Sequence, residues 1–221
     1  MGILNFSDKR GKMQKEAFIN FLKETFPDKH PELIKSFESY FNWIIEENRK
    51  INLISRQTDP EDIWTQHFLD SLLSVKHVNY SGKAILDFGT GGGLPGIPLA
   101  IAYPNASVTL LDSRKKKIQA LRSAANVLHL TNCSFLDIRI EEVPVRLYRT
   151  FDIIVSRSVR ILPEFRKPLM NLLKSGGKLV LYKSRILDDV AQFDSAQIFD
   201  VSNSLIGERK IVVVVKEEEG K

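Results

Sequence analysis

The 221-residue sequence holds a single cysteine, Cys133. One thiol excludes a disulfide framework and a thiolate zinc cluster. No apolar run approaches the roughly 20 residues needed to span a bilayer. Met1 to Arg10 lacks the apolar stretch of a secretory leader. Phe6 stands where N-myristoylation at Gly2 would want Ser or Thr. Internal repeats and low-complexity linkers are missing as well. These absences predict a cytoplasmic protein with no membrane attachment. What is present is ordinary: 43% hydrophobic and 27% charged residues. That balance builds a folded core and excludes disorder of the whole chain.

Charge of one sign is unevenly placed. The formal net charge is +5. Residues 1–112 carry 12 Lys/Arg against 14 Asp/Glu, whereas residues 113–185 carry 16 against 5. Residues 186–221 return to 4 against 8. A basic middle between acidic flanks is a candidate polyanion-binding face, and equally what a lysine-rich surface without a ligand would look like.

Residues 13–48 predict two helices. Phe18, Ile19, Phe21 and Leu22 stripe the first; Leu33, Phe37, Tyr40, Phe41, Ile44 and Ile45 stripe the second. Asp59-Pro60-Glu61-Asp62 is a strong helix start, with an N-cap, Pro at the first position and acids in the first turn. From residue 83 the pattern alternates. Strands are predicted at 84–88, 108–111, 133–136, 151–155, 178–182 and 211–215. Helices are predicted at 98–103, 114–130 and 163–173. Alternation of this kind argues an α/β fold with a doubly wound, mostly parallel sheet. The expected organisation is an N-terminal helical cap over residues 1–80 and a ligand-binding domain over residues 81–221, together one compact unit.

Asp87-Phe88-Gly89-Thr90-Gly91-Gly92-Gly93-Leu94-Pro95-Gly96 follows the first strand. Ligands of open α/β sheets bind at that edge. Gly91 to Gly96 fits the dinucleotide pattern G-x-G-x-x-G, and Asp112 follows 21 residues after Gly91, where a ribose-binding acid belongs. An NAD-dependent oxidoreductase is therefore one reading. Against it, Pro95 interrupts the place where a phosphate-binding helix should start. Asp87 would also repel a pyrophosphate but attract the ammonium of an amino acid moiety.

The run from Asp87 to Gly93 resembles the first motif of class I S-adenosyl-L-methionine (SAM)-dependent methyltransferases. Asn52-Leu53-Ile54, His67-Phe68-Leu69-Asp70-Ser71, Leu94-Pro95-Gly96-Ile97-Pro98, Leu110-Leu111-Asp112-Ser113, Arg139-Ile140-Glu141-Glu142 and Ser156-Arg157 occur in that order. Together they resemble the bacterial ribosomal RNA small subunit methyltransferase G family, also called glucose-inhibited division protein B. The resemblance implies a Rossmann-like methyltransferase sheet, mostly parallel with its last strand antiparallel. It implies SAM held by Asp87, Gly89, Gly91, Gly93, Leu94, Asp112, Ile140, Glu141 and Arg157. Arg157, Asp70 and Lys183 are the expected catalytic residues; His67, Ser71, Arg114, Lys115 and Lys116 the expected substrate contacts. The implied partner is 16S ribosomal RNA or the small ribosomal subunit, met by a monomer. Lys183-Ser184 replaces the Lys-Gly usual in the family, and Ser158-Val159-Arg160 also departs from its pattern.

The helix bearing His67, Asp70 and Ser71 places them at i, i+3 and i+4, on one face. Packing alone gives the same spacing. One His and one carboxylate are too few for a metal site. Cytosine C5 methylation needs a cysteine nucleophile, and Cys133 stands outside any Pro-Cys context. Exocyclic amine methylation usually needs an Asn/Asp-Pro-Pro-aromatic clamp, which Ser156-Arg157 does not supply. Guanine N7 has an in-plane lone pair and needs neither, so the missing groups are consistent with the rRNA (guanine-N7-) methylation that the resemblance implies; a methyltransferase acting on another RNA or a small molecule is the alternative.

Overall fold

The computed structural model describes residues 6–217, with side chains from residue 11 onward. The reading of Gly2 lies outside the described residues. Seven strands form one sheet: β1 (Ala84–Phe88), β2 (Ser107–Leu111), β3 (Cys133–Leu136), β4 (Phe151–Arg157), β5 (Leu173–Lys183), β6 (Ala196–Asp200) and β7 (Lys210–Val215). Their spatial order is β3-β2-β1-β4-β5-β7-β6. All neighbours are parallel except that β7 runs antiparallel to both β5 and β6. The antiparallel last strand expected from the resemblance is therefore present. The edge strand β6 was not foreseen, because Gln197 and Asp200 break the apolar signal of a half-exposed strand.

Six α-helices flank the sheet: α1 (Phe6–Thr25), α2 (His30–Asn48), α3 (Asp70–Leu72), α4 (Gly96–Ala102), α5 (Lys115–Val127) and α6 (Pro163–Leu172). Among the described residues, no helix is long and apolar enough to cross a membrane. The strands alternate their side chains between two cores. Ile85, Ile153, Val155, Val180, Ile211 and Val213 face one cluster, which continues without a break to Phe18, Phe37 and Phe68 of the N-terminal helices. Leu86, Ile154, Leu179, Leu181, Val212 and Val214 face the other, under α6. Burial on both faces explains why these strands read as continuous apolar runs.

One expectation is corrected. Asp59 does cap the segment, its side chain accepting from the Glu61 amide. After a short turn at Pro60–Asp62, however, Ile63–Leu69 is a π-helix, not an α-helix. The cause is visible in the hydrogen bonds. In an α-helix the Asp70 amide would donate to the carbonyl of Gln66. That carbonyl instead accepts from Arg157 Nη1 at 3.2 Å. The Asp70 amide donates to Thr65 and His67 carbonyls. A side chain inserted into the ladder widens the turn, and a widened turn is not readable from apolar spacing.

The chain leaves β1, winds out through β2 and β3, and returns on the other side as β4. The glycine loop thus lies at the point where the winding reverses, where such sheets bind ligands. Tyr40 of α2 braces the loop, its hydroxyl donating to the Gly92 carbonyl at 2.7 Å. Gly93 has φ +89°, and a Cβ there would lie 2.7 Å from Ile97 Cγ1 and 2.9 Å from both Leu121 and the Tyr40 hydroxyl. Gly93→Ala is expected to cost about 3 kcal/mol through backbone strain and overpacking. Urea unfolding checks this; a midpoint equal to the wild type would contradict it.

Candidate active site

The carboxyl ends of β1, β2, β4 and β5 deliver Gly89, Asp112, Arg157 and Lys183 to one edge of the sheet. Two cavities open there. The first, of about 310 Å³, is walled by Phe88, Gly89, Asp112, Arg114, Ile138, Ile140, Glu141, Val159 and Phe165. The second, of about 390 Å³, is walled by Arg157, Arg160, Tyr182, Lys183, Asp188, Asp189 and Arg209. Val159 contributes to both.

The glycine loop is tied down by its acids. Asp87 is fully buried, and its Oδ2 accepts from Thr90 Oγ1 at 2.6 Å and the Gly96 amide at 2.8 Å. Its Oδ1 is buried with no partner among the described residues. Burial pushes the carboxyl up to about 6, against the pull of those two hydrogen bonds. The Gly89 and Thr90 amides donate to the Leu111 carbonyl, and the Gly91 amide to Asp112 Oδ2 at 3.1 Å. Leu94 packs in the core and walls neither cavity.

Asp112 is a buried carboxylate on the wall of the first cavity. Burial works against its charge, but hydrogen bonds from Arg114, the charge of Arg114 and the Gly91 amide hold it below the usual carboxylate range. The cavity fits an adenosine. Phe88, Ile138, Ile140, Val159 and Phe165 give apolar walls for a ring, and the carboxylate suits a pair of hydroxyls. Asp87, with its orphaned Oδ1, is fully buried and walls neither cavity. Ile140 and Glu141, the expected adenine contacts, both wall this cavity.

The second cluster joins distant parts of the chain. Asp70 is buried between two guanidinium groups, Arg157 Nη1 at 2.9 Å on Oδ2 and Arg209 Nε at 2.8 Å on Oδ1. Arg157 Nη2 lies 3.2 Å from His67 Nδ1. A guanidinium can only donate, so Nδ1 accepts and the ring proton sits on Nε2. That Nε2 is buried without a partner among the described residues. Burial, then the charges of Arg157 and Arg209, push His67 down to about 3. The ring is neutral at any physiological pH.

Of the expected catalytic residues, Arg157 and Asp70 are therefore brought together with His67. Lys183 is held apart from them: its ammonium pairs with Asp189 and donates to the Val159 carbonyl at 3.2 Å. Asp189 also accepts from the Ile161 amide at 2.7 Å, so the pair pins the loop after β4. Ser71 is buried, its hydroxyl donating to the His67 carbonyl at 2.6 Å, and it walls neither cavity. Lys115 and Lys116 are exposed on the first turn of α5. Arg114 turns instead onto Asp112.

Arg209 and Asp189 were missed by sequence reasoning. For Arg209 a signal exists. It immediately precedes the last strand, and an antiparallel strand starts at the edge where its parallel neighbours end. Asp189 carries no comparable signal, because nothing local marks which acid will meet Lys183.

Residues 33–212 match the family described as rRNA small subunit methyltransferase G. The chain belongs to that family. Its relatives include the ribosomal RNA small subunit methyltransferase G of Lachnoclostridium phytofermentans, 39% identical over 171 residues that cover 76% of this chain and 70% of the relative. The protein of the same name from Christiangramia forsetii is 34% identical over 193 residues, covering 84% and 89%. Among solved structures, magnesium protoporphyrin IX methyltransferase from Synechocystis PCC 6803 with bound SAM superposes with a TM-score of 0.56 at 22% identity, over 80% of this chain and 94% of that one. That likeness speaks for the fold.

Two outcomes follow from the buried acids. Asp70→Ala leaves two guanidinium groups facing each other and is expected to cost about 3–5 kcal/mol in urea unfolding; a loss under 1 kcal/mol would refute the reading. For Asp87, the folded-state value near 6 lies above the unfolded one near 3.8. The folded protein therefore binds this proton more tightly and loses stability as pH rises from about 4 to 6, by about 2–3 kcal/mol. Asp87→Asn removes that loss. Its melting temperature relative to the wild type should rise between pH 4.5 and pH 7.5; a constant difference would contradict the shift.

Proposed function

We propose that the chain is an rRNA (guanine-N7-)-methyltransferase, placing the methyl group of SAM on N7 of a guanine in 16S ribosomal RNA, free or within the small subunit. Membership of the family supports the class of activity. The acceptor atom is argued from the second cavity, where no charged group is poised to take a proton. Arg157, Arg160, Lys183 and Arg209 are cations there. Asp188 holds Arg160, and Asp189 holds Lys183. Next to this wall, His67 has its one lone pair taken by Arg157.

SAM, when bound, supplies a methyl group on a positively charged sulfur. Asp112 would take its ribose, Ile140 and Glu141 border its adenine, and Gly89, Gly91 and Asp87 its amino acid end. Guanine N7 attacks with a lone pair that no proton blocks, so the residues have only to align the base and exclude water. An amine or ribose hydroxyl would need its proton removed. Cytosine C5 would need a thiolate. Cys133 lies on β3, away from both cavities, and burial pushes its thiol up to about 12.

The cations of the second cavity and of α5 favour a polyanionic acceptor. Affinity for RNA should fall steeply with salt. The test is purified protein with methyl-labelled SAM and small subunits or 16S RNA, followed by nuclease digestion and mass spectrometry. Label in 7-methylguanosine is the expected result; no label, or label in another nucleoside, overturns the proposal. A melting temperature raised by S-adenosylhomocysteine and unmoved by NAD separates this reading from an oxidoreductase.

A further inference from the structure

Asp112 accepts four hydrogen bonds. The Gly91 amide donates to Oδ2 at 3.1 Å and the Arg114 amide to Oδ1 at 2.9 Å. The other two come from the Arg114 guanidinium, Nε to Oδ1 at 2.9 Å and Nη2 to Oδ2 at 3.1 Å. A carboxylate has about four acceptor positions, so Asp112 is full. Two of the four donors are backbone and stay. The guanidinium can leave.

We propose that the Arg114 side chain is a placeholder for the cofactor's ribose, displaced from Asp112 when SAM or S-adenosylhomocysteine binds. This rests on the cofactor reading above. A ribose 2′,3′-diol offers two adjacent O–H donors, the same fork that Nε and Nη2 present. Exchange therefore leaves the buried carboxylate satisfied at every stage but the crossing. The two partners differ in what they lose. The Asp112 side chain is 2% exposed, whereas that of Arg114 is 63% exposed, so Arg114 swings into water at little desolvation cost. Asp112 and Arg114 also wall the same cavity.

Arg114, Lys115, Lys116 and Lys117 stand in succession at the N-terminus of α5, the end where a helix disfavours cations. Burial, then the charge of Arg114, hold the Lys117 ammonium below the usual range. Once the diol replaces the guanidinium, Arg114 projects with the exposed Lys115 and Lys116. The same event that seats the cofactor then frees a cation beside Lys115 and Lys116.

The experiment measures S-adenosylhomocysteine affinity by calorimetry for the wild type, Arg114→Gln and Arg114→Lys, at low salt and about 0.5 M salt. An exposed ion pair is a modest competitor, so Arg114→Gln should bind about two- to fivefold more tightly at low salt. Arg114→Lys keeps the charge without the fork and should fall between. The advantage should shrink in high salt, because screening already loosens Arg114 in the wild type. A residue that merely supports the fold would not give tighter binding. Equal or weaker binding by Arg114→Gln, with melting like the wild type, overturns the exchange. If that variant does not fold, Arg114→Lys decides by the same criterion. No binding by the wild type overturns the cofactor reading itself.

Discussion

A buried carboxylate between two guanidinium groups organises the half of the ligand edge beyond β1. Asp70 on α3 holds Arg157 from the end of β4 and Arg209 from the start of β7. These residues are 87 and 139 positions from Asp70. Removing a carboxylate from water is costly unless its partners and geometry repay it, so neither arginine is free to wander. Arg157, once fixed on Asp70, reaches the Gln66 carbonyl and opens the helix into its π form. That widened turn sets where His67 stands and directs its Nδ1 to the same guanidinium. A single ion cluster thereby joins the helical layer to the sheet, shapes a local helix and fixes a histidine's tautomer.

The cofactor side is built on the opposite logic. There the acids hold backbone. Asp87 secures Thr90 and Gly96, while Asp112 secures Gly91 and the start of α5. Backbone amides are short, stiff donors, and the hydroxyls of Thr90 and Tyr40 add two further ties to the loop. Gly93 allows this because it has no Cβ; at φ +89° one would meet Ile97, Leu121 and the Tyr40 hydroxyl. The oxygen left over, Asp87 Oδ1, is buried without a partner, and burial of this acid raises its pKa to about 6.

The strands were legible because their signals are local. Ala84 to Phe88 and Ile211 to Val215 are apolar on both faces, and a strand needs nothing further to be recognised. The helix over residues 63–72 was legible as a helix but not as a π-helix, because Arg157 lies 91 residues from Gln66 and no nearby residue announces it. Lys183 shows the same limit from the other side. Strand-end placement put it correctly at the ligand edge, yet its ammonium is occupied by Asp189, six residues on and in a loop without periodicity. β6 was missed because half of its side chains face water and look like any polar loop.

Pairing also changes how the charge blocks should be weighed. The basic stretch 113–185 looks like a polyanion face when its residues are counted. In the folded chain Arg157, Arg160 and Lys183 each meet a carboxylate from an acidic flank: Asp70, Asp188 and Asp189. Arg114 meets Asp112 in the same way. The acidic flanks are thus spent on the very cations nearest the chemistry. Arg157 is held in place and only partly neutralised, since Asp70 serves two arginines. The second cavity thus presents cations already paired with carboxylates, while Lys115 and Lys116 of α5 stand exposed outside it. A base entering that cavity would meet charge placed in advance, and the proposed reaction, which has only to align its partners, asks no more of the site.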